Sequence, residues 1–153
     1  MLKAINHINI VVSDLERSVA FYTKLLGFVV SKRARLGGEW FERIVGLSGV
    51  DAEVAYIQPP GAGPRLELLC YHAPRGASVP ETARPNTIGL RHIALEVADI
   101  DAMSARLAAA GVEFVGPPVA VPPNALKHDE GYKRLCYFHD PDGVLLELAE
   151  YAP

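Results

Sequence analysis

Two stretches of the 153-residue sequence decide its fold: HINIVVSDLERSVAFYTKLLGFVV at 7–30 and HIALEVADIDAMSARLAAAGVEFV at 92–115. Each begins with His-Ile and then alternates apolar and other residues, which predicts a β-strand with one buried face. An acid at a helix start, an amphipathic helix, a terminating glycine and a second apolar strand follow in both. The histidines are 85 residues apart (92 − 7) and the helix-ending glycines, Gly27 and Gly111, are 84 apart (111 − 27). We interpret the two stretches as copies of one duplicated unit.

Further strand-like runs follow each copy, separated by turns rich in proline and glycine. These runs are roughly 28–35, 51–58, 65–71, 113–116, 134–139 and 144–150. The pattern predicts an α+β fold of two βαβββ modules, forming paired, partly open barrel-like sheets around a hollow.

The composition also predicts where the modules begin and end within one domain, 1–153. A linker rich in proline, glycine and small polar residues is expected at 73–89, between a first module at 1–72 and a second at 90–153. Residues 117–133 predict a second long loop, of a length that in compact domains is often functional. For the helix starts we expect a capping box of Ser13 and Glu16 in the first copy and Asp99 as the N-cap in the second.

Charge and composition exclude several classes of protein. The formal charge of −3 gives no basic surplus, so we expect no nucleic-acid partner. The sequence has neither the apolar run of about 18 residues that a membrane helix needs nor, at its start, the apolar stretch of a signal peptide. We therefore expect a cytoplasmic protein with no membrane partner. Cys70 and Cys136 lie in apolar strand-like runs, which favours two buried thiols over a disulfide.

The strongest functional signal is a repeated pair of one histidine and one glutamate. Strand alternation places His7 and His92 on the face of each first strand that points away from the helix. Glu67 and Glu147 each lie between leucines in a later strand, where a carboxylate is costly unless it is exposed, paired or bound to a metal. Two nitrogens and two carboxylate oxygens suit a borderline divalent ion such as Mn, Fe, Co, Ni or Zn. Taken singly, each residue could instead be structural or solvated.

Four other residues have two possible interpretations. Lys133 and Arg134 are expected to be a solvated pair, with a contact to a substrate carboxylate or phosphate as the alternative. Trp40 and Phe41 either line a pocket or fill a core.

Three segments give the sequence a family resemblance. These are H-I-N-I-V-V-S-D-L-E-R-S-V-A-F-Y at 7–22, G-L-R-H-I-A-L-E-V at 89–97 and F-H-D-P-D-G-V-L-L-E-L at 138–148. They resemble the vicinal oxygen chelate superfamily, which includes glyoxalase I, methylmalonyl-CoA epimerase, extradiol dioxygenases, fosfomycin-resistance thiol transferases and bleomycin-binding proteins. The resemblance implies one divalent metal ion held by His7, Glu67, His92 and Glu147.

The acid in the first half discriminates among these activities. The position matched by Glu67 supplies a fourth ligand in glyoxalase I and the epimerase, whereas thiol transferases and extradiol dioxygenases usually have three protein ligands. The segment R-L-E-L-L-C-Y at 65–71 resembles glyoxalase I, while the region from Gly89 resembles the epimerase. The epimerase often has Gln at the position of Glu67. Its catalytic glutamate is matched approximately by Glu53.

The resemblance therefore implies a metal-dependent lyase or isomerase that stabilises an enolate of a small bidentate carbonyl substrate. Glu147 and Glu53 are the candidate bases. An Fe(II) extradiol-type dioxygenase and a non-catalytic small-molecule-binding or resistance protein are the alternatives. We expect a homodimer, with modules pairing either within one chain or across the dimer.

Overall fold

The computed structural model describes residues 1–79, 84–122 and 131–152. The chain divides into two compact units, Met1–Ser78 and Val79–Pro153, which we call module 1 and module 2. Each module contains one open four-stranded sheet and at least one helix, so the predicted α+β class is confirmed. The boundary between the units falls inside the predicted linker 73–89.

Module 1 is a mixed sheet with two helices. Its elements are β1 (His7–Val11), α1 (Leu15–Ala20), β2 (Val29–Gly37), α2 (Glu39–Val45), β3 (Asp51–Gln58) and β4 (Arg65–Ala73), and a π-helical turn at Phe21–Leu25 extends α1. The strand order is β1-β4-β3-β2. Strand β1 is parallel to β4, and the other neighbours are antiparallel.

Module 2 repeats this topology with the order β5-β8-β7-β6. Its elements are β5 (His92–Glu96), α3 (Ile100–Ala109), β6 (Val119–Ala120), β7 (Tyr132–His139) and β8 (Leu145–Ala152). The prediction of a strand at 113–116 is wrong in extent. An isolated β-bridge between Phe114 and Phe138 forms there instead. The edge strand β6 comes later, inside the predicted loop 117–133, of which residues 123–130 lie outside the described part of the chain.

The helices of the two copies begin at equivalent aspartates. Asp14 caps α1 by accepting a hydrogen bond from the backbone N–H of Arg17, with an N···O distance of 3.0 Å. The predicted cap Ser13 is therefore wrong by one residue, and its hydroxyl accepts from the Arg17 guanidinium instead. Asp99 caps α3 in the same manner as Asp14. None of the helices in the described residues is long and apolar enough to span a membrane.

The two faces of each sheet differ in character. The helix face lies under α1 or α3 and holds the apolar core, which includes Ile10, Ile57, Leu66 and Leu68 in module 1 and Phe138, Leu146 and Leu148 in module 2. The opposite face, which we call the histidine face, holds His7 in module 1 and His92 in module 2. Strand alternation therefore places both histidines on the face opposite the main apolar core, as the sequence predicts.

Helix α2 adds a second apolar cluster in module 1, on the histidine face. Phe41 is buried there against Ala52, Val54 and Leu69. Trp40, the preceding residue, is 58% exposed. Phe41 therefore fills a core, whereas Trp40 remains available at the surface.

The two cysteines are both free and buried, as expected. Only 4% of Cys70 and 3% of Cys136 is exposed. Burial raises the pKa of both thiols, because the thiolate would lose its hydration.

This burial predicts slow thiol chemistry. At pH 8 we expect Cys70 and Cys136 to resist Ellman's reagent in the folded protein, because the raised pKa and the burial withhold the reactive thiolate. Both should react at once in denaturant without prior reduction. Rapid reaction of the native protein, or fewer than two thiols after unfolding, would contradict this assignment.

Candidate metal centre

Each module places one histidine beside one glutamate on its histidine face. The distance from His7 Nε2 to Glu67 Oε2 is 3.5 Å, and that from His92 Nε2 to Glu147 Oε2 is 3.4 Å. Both pairs arise in the same way. The first and last strands of each module are parallel neighbours, and the glutamate lies opposite the residue two positions after the histidine. Residues two apart share a face, so histidine and glutamate meet there.

Neutral donors hold the carboxylate of Glu67. The hydroxyl of Tyr56 donates to Oε1, and the side-chain amide of Asn9 donates to Oε2 at 2.7 Å. The hydrogen bond to Glu67 raises the pKa of Tyr56, and burial adds to the effect. Because 13% of the Glu67 side chain is exposed, these bonds replace much of its hydration.

A cation holds the carboxylate of Glu147, whose side chain is only 5% exposed. Lys133 Nζ lies 3.1 Å from Glu147 Oε1, and Tyr137 lies directly opposite Glu147 in the register of β7 and β8. Burial acts to lower the pKa of Lys133, but hydrogen bonds to Glu147 and Tyr151 outweigh it, so the pKa is raised. Burial raises the pKa of Tyr137, and the charge of Glu147 adds to the rise.

The expectation of a solvated pair is wrong for Lys133. Successive residues of β7 point to opposite faces of the sheet. Lys133 reaches the histidine face with 16% of its side chain exposed. Arg134 points to the helix face, where it pairs with Asp101 at 2.7 Å and with Glu150 at 3.7 Å.

The structure does not bring Glu53 together with the pair of module 1. Tyr56 of β3 points to the histidine face, so Glu53, three positions earlier, points to the helix face. There its Oε2 lies 3.0 Å from His72 Nε2, and its Oε1 lies 3.4 Å from Arg35 Nη1. The sheet itself therefore separates Glu53 from Glu67.

The geometry of each pair fits a bound cation. Separations of 3.4 and 3.5 Å exceed those of ordinary N–H···O hydrogen bonds, about 2.7–3.2 Å. An ion with ligand distances of about 2.0–2.2 Å sets two ligand atoms about 3.0 Å apart at right angles and about 3.4 Å apart at tetrahedral angles. Among the described residues, no group of three or more His, Cys, Asp or Glu side chains lies close enough together to hold a metal ion. Each module thus offers one nitrogen and one carboxylate.

The sequence analysis does not name three residues beside these pairs, Asn9, Tyr56 and Tyr137, and it names Lys133 without its partner Glu147. A signal for the tyrosines exists in the duplication. Tyr56 precedes Glu67 by 11 residues (67 − 56), and Tyr137 precedes Glu147 by 10 (147 − 137). Lys133 has no such signal, because its partner depends on the register of β7 against β8.

Comparison with known proteins agrees with this architecture. The family model of the Glyoxalase/Bleomycin resistance protein/Dioxygenase superfamily matches residues 4–148. YaeR, an uncharacterised protein of Escherichia coli, is 33% identical over 151 residues, which cover 97% of either chain. The 2-epi-5-epi-valiolone epimerase of Actinomyces is 30% identical over 149 residues, covering 95% of this chain and 78% of the epimerase.

A solved structure shows the same fold. The glyoxalase family protein from Bacillus cereus has a TM-score of 0.84 and 30% identity, and the match covers 100% of this chain and 97% of that one. The match to the family model spans nearly the whole chain and includes both histidine–glutamate pairs. This chain is therefore a member of the glyoxalase/bleomycin resistance protein/dioxygenase superfamily, which has the vicinal oxygen chelate fold.

Proposed function

We propose that this protein is a metal-dependent lyase or isomerase of the glyoxalase I or methylmalonyl-CoA epimerase type. Its substrate would be a small carbonyl compound with two neighbouring oxygens, and the reaction would pass through an enolate. The observation that carries the proposal is the repeated pair, His7 with Glu67 and His92 with Glu147, at the same register position in both modules. The relative named as an epimerase supports the isomerase side of the proposal.

The four side chains of the two pairs would be the ligands of one divalent ion, Mn, Fe, Co, Ni or Zn. Imidazole nitrogen combined with carboxylate oxygen suits this group of metals. When bound, such an ion supplies Lewis acidity that polarises a substrate carbonyl. A homodimer is part of the proposal, and the two pairs would meet either within one chain or across the dimer.

Glu147 is the carboxylate that we assign to proton transfer. Both oxygens of Glu67 accept hydrogen bonds from neutral donors, Tyr56 and Asn9, which fix this carboxylate in place. Glu147 is held instead by Lys133, a flexible side chain that can follow it or release it. Glu147 would take the proton next to the substrate carbonyl and return it to the product. Glu53 has no part in this scheme, because it lies on the helix face.

The first test is the metal content of the purified protein. We expect about one divalent ion per chain and loss of that ion in His92→Ala, which removes one ligand. His72→Ala is the matched control, because His72 lies beside Glu53 on the helix face. Its metal content should equal that of the native protein.

Two results would oppose the metal proposal. One is a native protein that contains no divalent ion and takes none up from Mn, Co, Ni or Zn solutions. The other is equal loss of metal in both histidine variants. Oxygen uptake by the Fe(II) form with a catechol would replace the lyase or isomerase assignment with a dioxygenase.

The second test follows hydrogen exchange at carbon. In D₂O, the metal-loaded protein should introduce deuterium next to the carbonyl of its substrate, screened among glutathione hemithioacetals and acyl-CoA thioesters. Glu147→Gln should slow this exchange at least about 100-fold, because a general base is lost. Glu53→Gln makes the same chemical change on the other face of the sheet. This variant should catalyse hydrogen exchange at the native rate. If Glu53→Gln abolishes exchange and Glu147→Gln does not, the base is Glu53.

A further inference from the structure

A side-chain relay links His7 to a residue of the neighbouring strand. The Oδ1 atom of Asn6 lies 2.8 Å from His7 Nδ1 and 2.9 Å from Arg65 Nη2. Arg65 lies directly opposite His7 in the parallel register of β1 and β4. The amide of Asn6 is therefore shared between the imidazole and the guanidinium.

This relay decides which nitrogen of His7 carries the proton. A guanidinium has only donors, so the amide atom that faces Arg65 must be the oxygen of Asn6. An amide oxygen only accepts, so the proton between Asn6 and His7 must lie on Nδ1. The neutral ring then has its lone pair on Nε2, the atom that faces Glu67. An imidazole lone pair and a carboxylate oxygen directed at one region favour a cation between them.

Arg65 also contacts the other half of the pair. Its guanidinium carbon lies 4.7 Å from the centre of the Tyr56 ring, and the Tyr56 hydroxyl donates to Glu67. Arg65 therefore reaches His7 through Asn6 and reaches Glu67 through Tyr56. One cation thus contacts a hydrogen-bond partner of each candidate ligand of module 1.

Module 2 does not repeat this relay. The residue before His92 is Arg91, in place of Asn6, and the residue opposite His92 in register is Leu145, in place of Arg65. Neither of these side chains can accept a hydrogen bond from an imidazole. The relay is therefore a feature of module 1 and is not a consequence of the fold.

We propose that Asn6 and Arg65 are positioning residues that hold His7 as its Nδ1–H tautomer, with Nε2 free to bind a metal ion. The proposal rests on the metal site of the proposed function. A hydrogen-bonded partner on the far nitrogen of a ligating histidine fixes both tautomer and ring orientation.

The tautomer is measured on the metal-free protein by two-bond ¹⁵N–¹H correlation spectra. The pH is set high enough that the His7 signals no longer shift with pH. We expect the Nδ1–H pattern in the native protein. Asn6→Leu should change it to the Nε2–H pattern that free imidazole favours in water. Asn6→Asp keeps an acceptor oxygen at this place and should retain Nδ1–H. Arg65→Leu, which introduces the residue found opposite His92, should give a mixture, because the amide can then rotate.

The affinity for a metal ion is the second measurement that tests the proposal. Co(II) titrated into the metal-free protein should bind about 10- to 100-fold more weakly to Asn6→Leu than to the native protein. Asn6→Asp should restore most of the affinity. A merely structural role would not distinguish these two variants, because Asn6 is exposed and both should fold alike.

The two readings separate the possible failures. An Nε2–H tautomer in the native protein, or equal Co(II) affinity in Asn6→Leu and Asn6→Asp, would overturn the relay while leaving the metal site intact. An Nδ1–H tautomer in a native protein that binds no Co(II) would overturn the proposed function, and with it the ligand role of His7.

Discussion

The parallel pairing of the first and last strand in each module is the interaction on which the rest of the structure depends. It fixes a register in which the glutamate of the last strand lies beside the histidine of the first. A carboxylate withdrawn from water costs several kcal/mol unless donors or charges compensate it. Because successive residues of a strand point to opposite faces, the neighbouring leucines lie on the helix face and the glutamate lies on the histidine face. The imidazole and a tyrosine from the adjacent strand lie beside the carboxylate in both modules.

The duplication preserves this pair but not its surroundings. Glu67 accepts hydrogen bonds from the neutral groups of Tyr56 and Asn9. Glu147 is paired with Lys133, which offsets part of its charge. One carboxylate is therefore held by neutral hydrogen-bond donors, and the other by a cation. Divergence of the duplicated halves in this way gives two carboxylates different partners on a common backbone.

The fold of this superfamily hosts several reactions, so the local environment of the site decides the function. Helix α2 occupies part of the histidine face of module 1 and leaves Trp40 exposed beside the buried Phe41. Glu53 illustrates that a match in sequence does not fix the sheet face on which a side chain lies. It occupies a position that resembles the catalytic glutamate of the epimerase, yet alternation along β3 directs it to the helix face, where His72 and Arg35 pair with it.

The sequence by itself determined the duplication, the α+β class and the two histidine–glutamate pairs, because strand alternation and buried charge leave a local pattern in the chain. It also identified the aspartate that caps α3, since capping involves residues only a few positions apart. Only the tertiary structure decided that Lys133 meets Glu147 and that Arg65 reaches His7 through Asn6. These contacts cross between paired strands, β1 and β4 in one case and β7 and β8 in the other. They depend on register, which shifts a side chain to the other face when it changes by one residue.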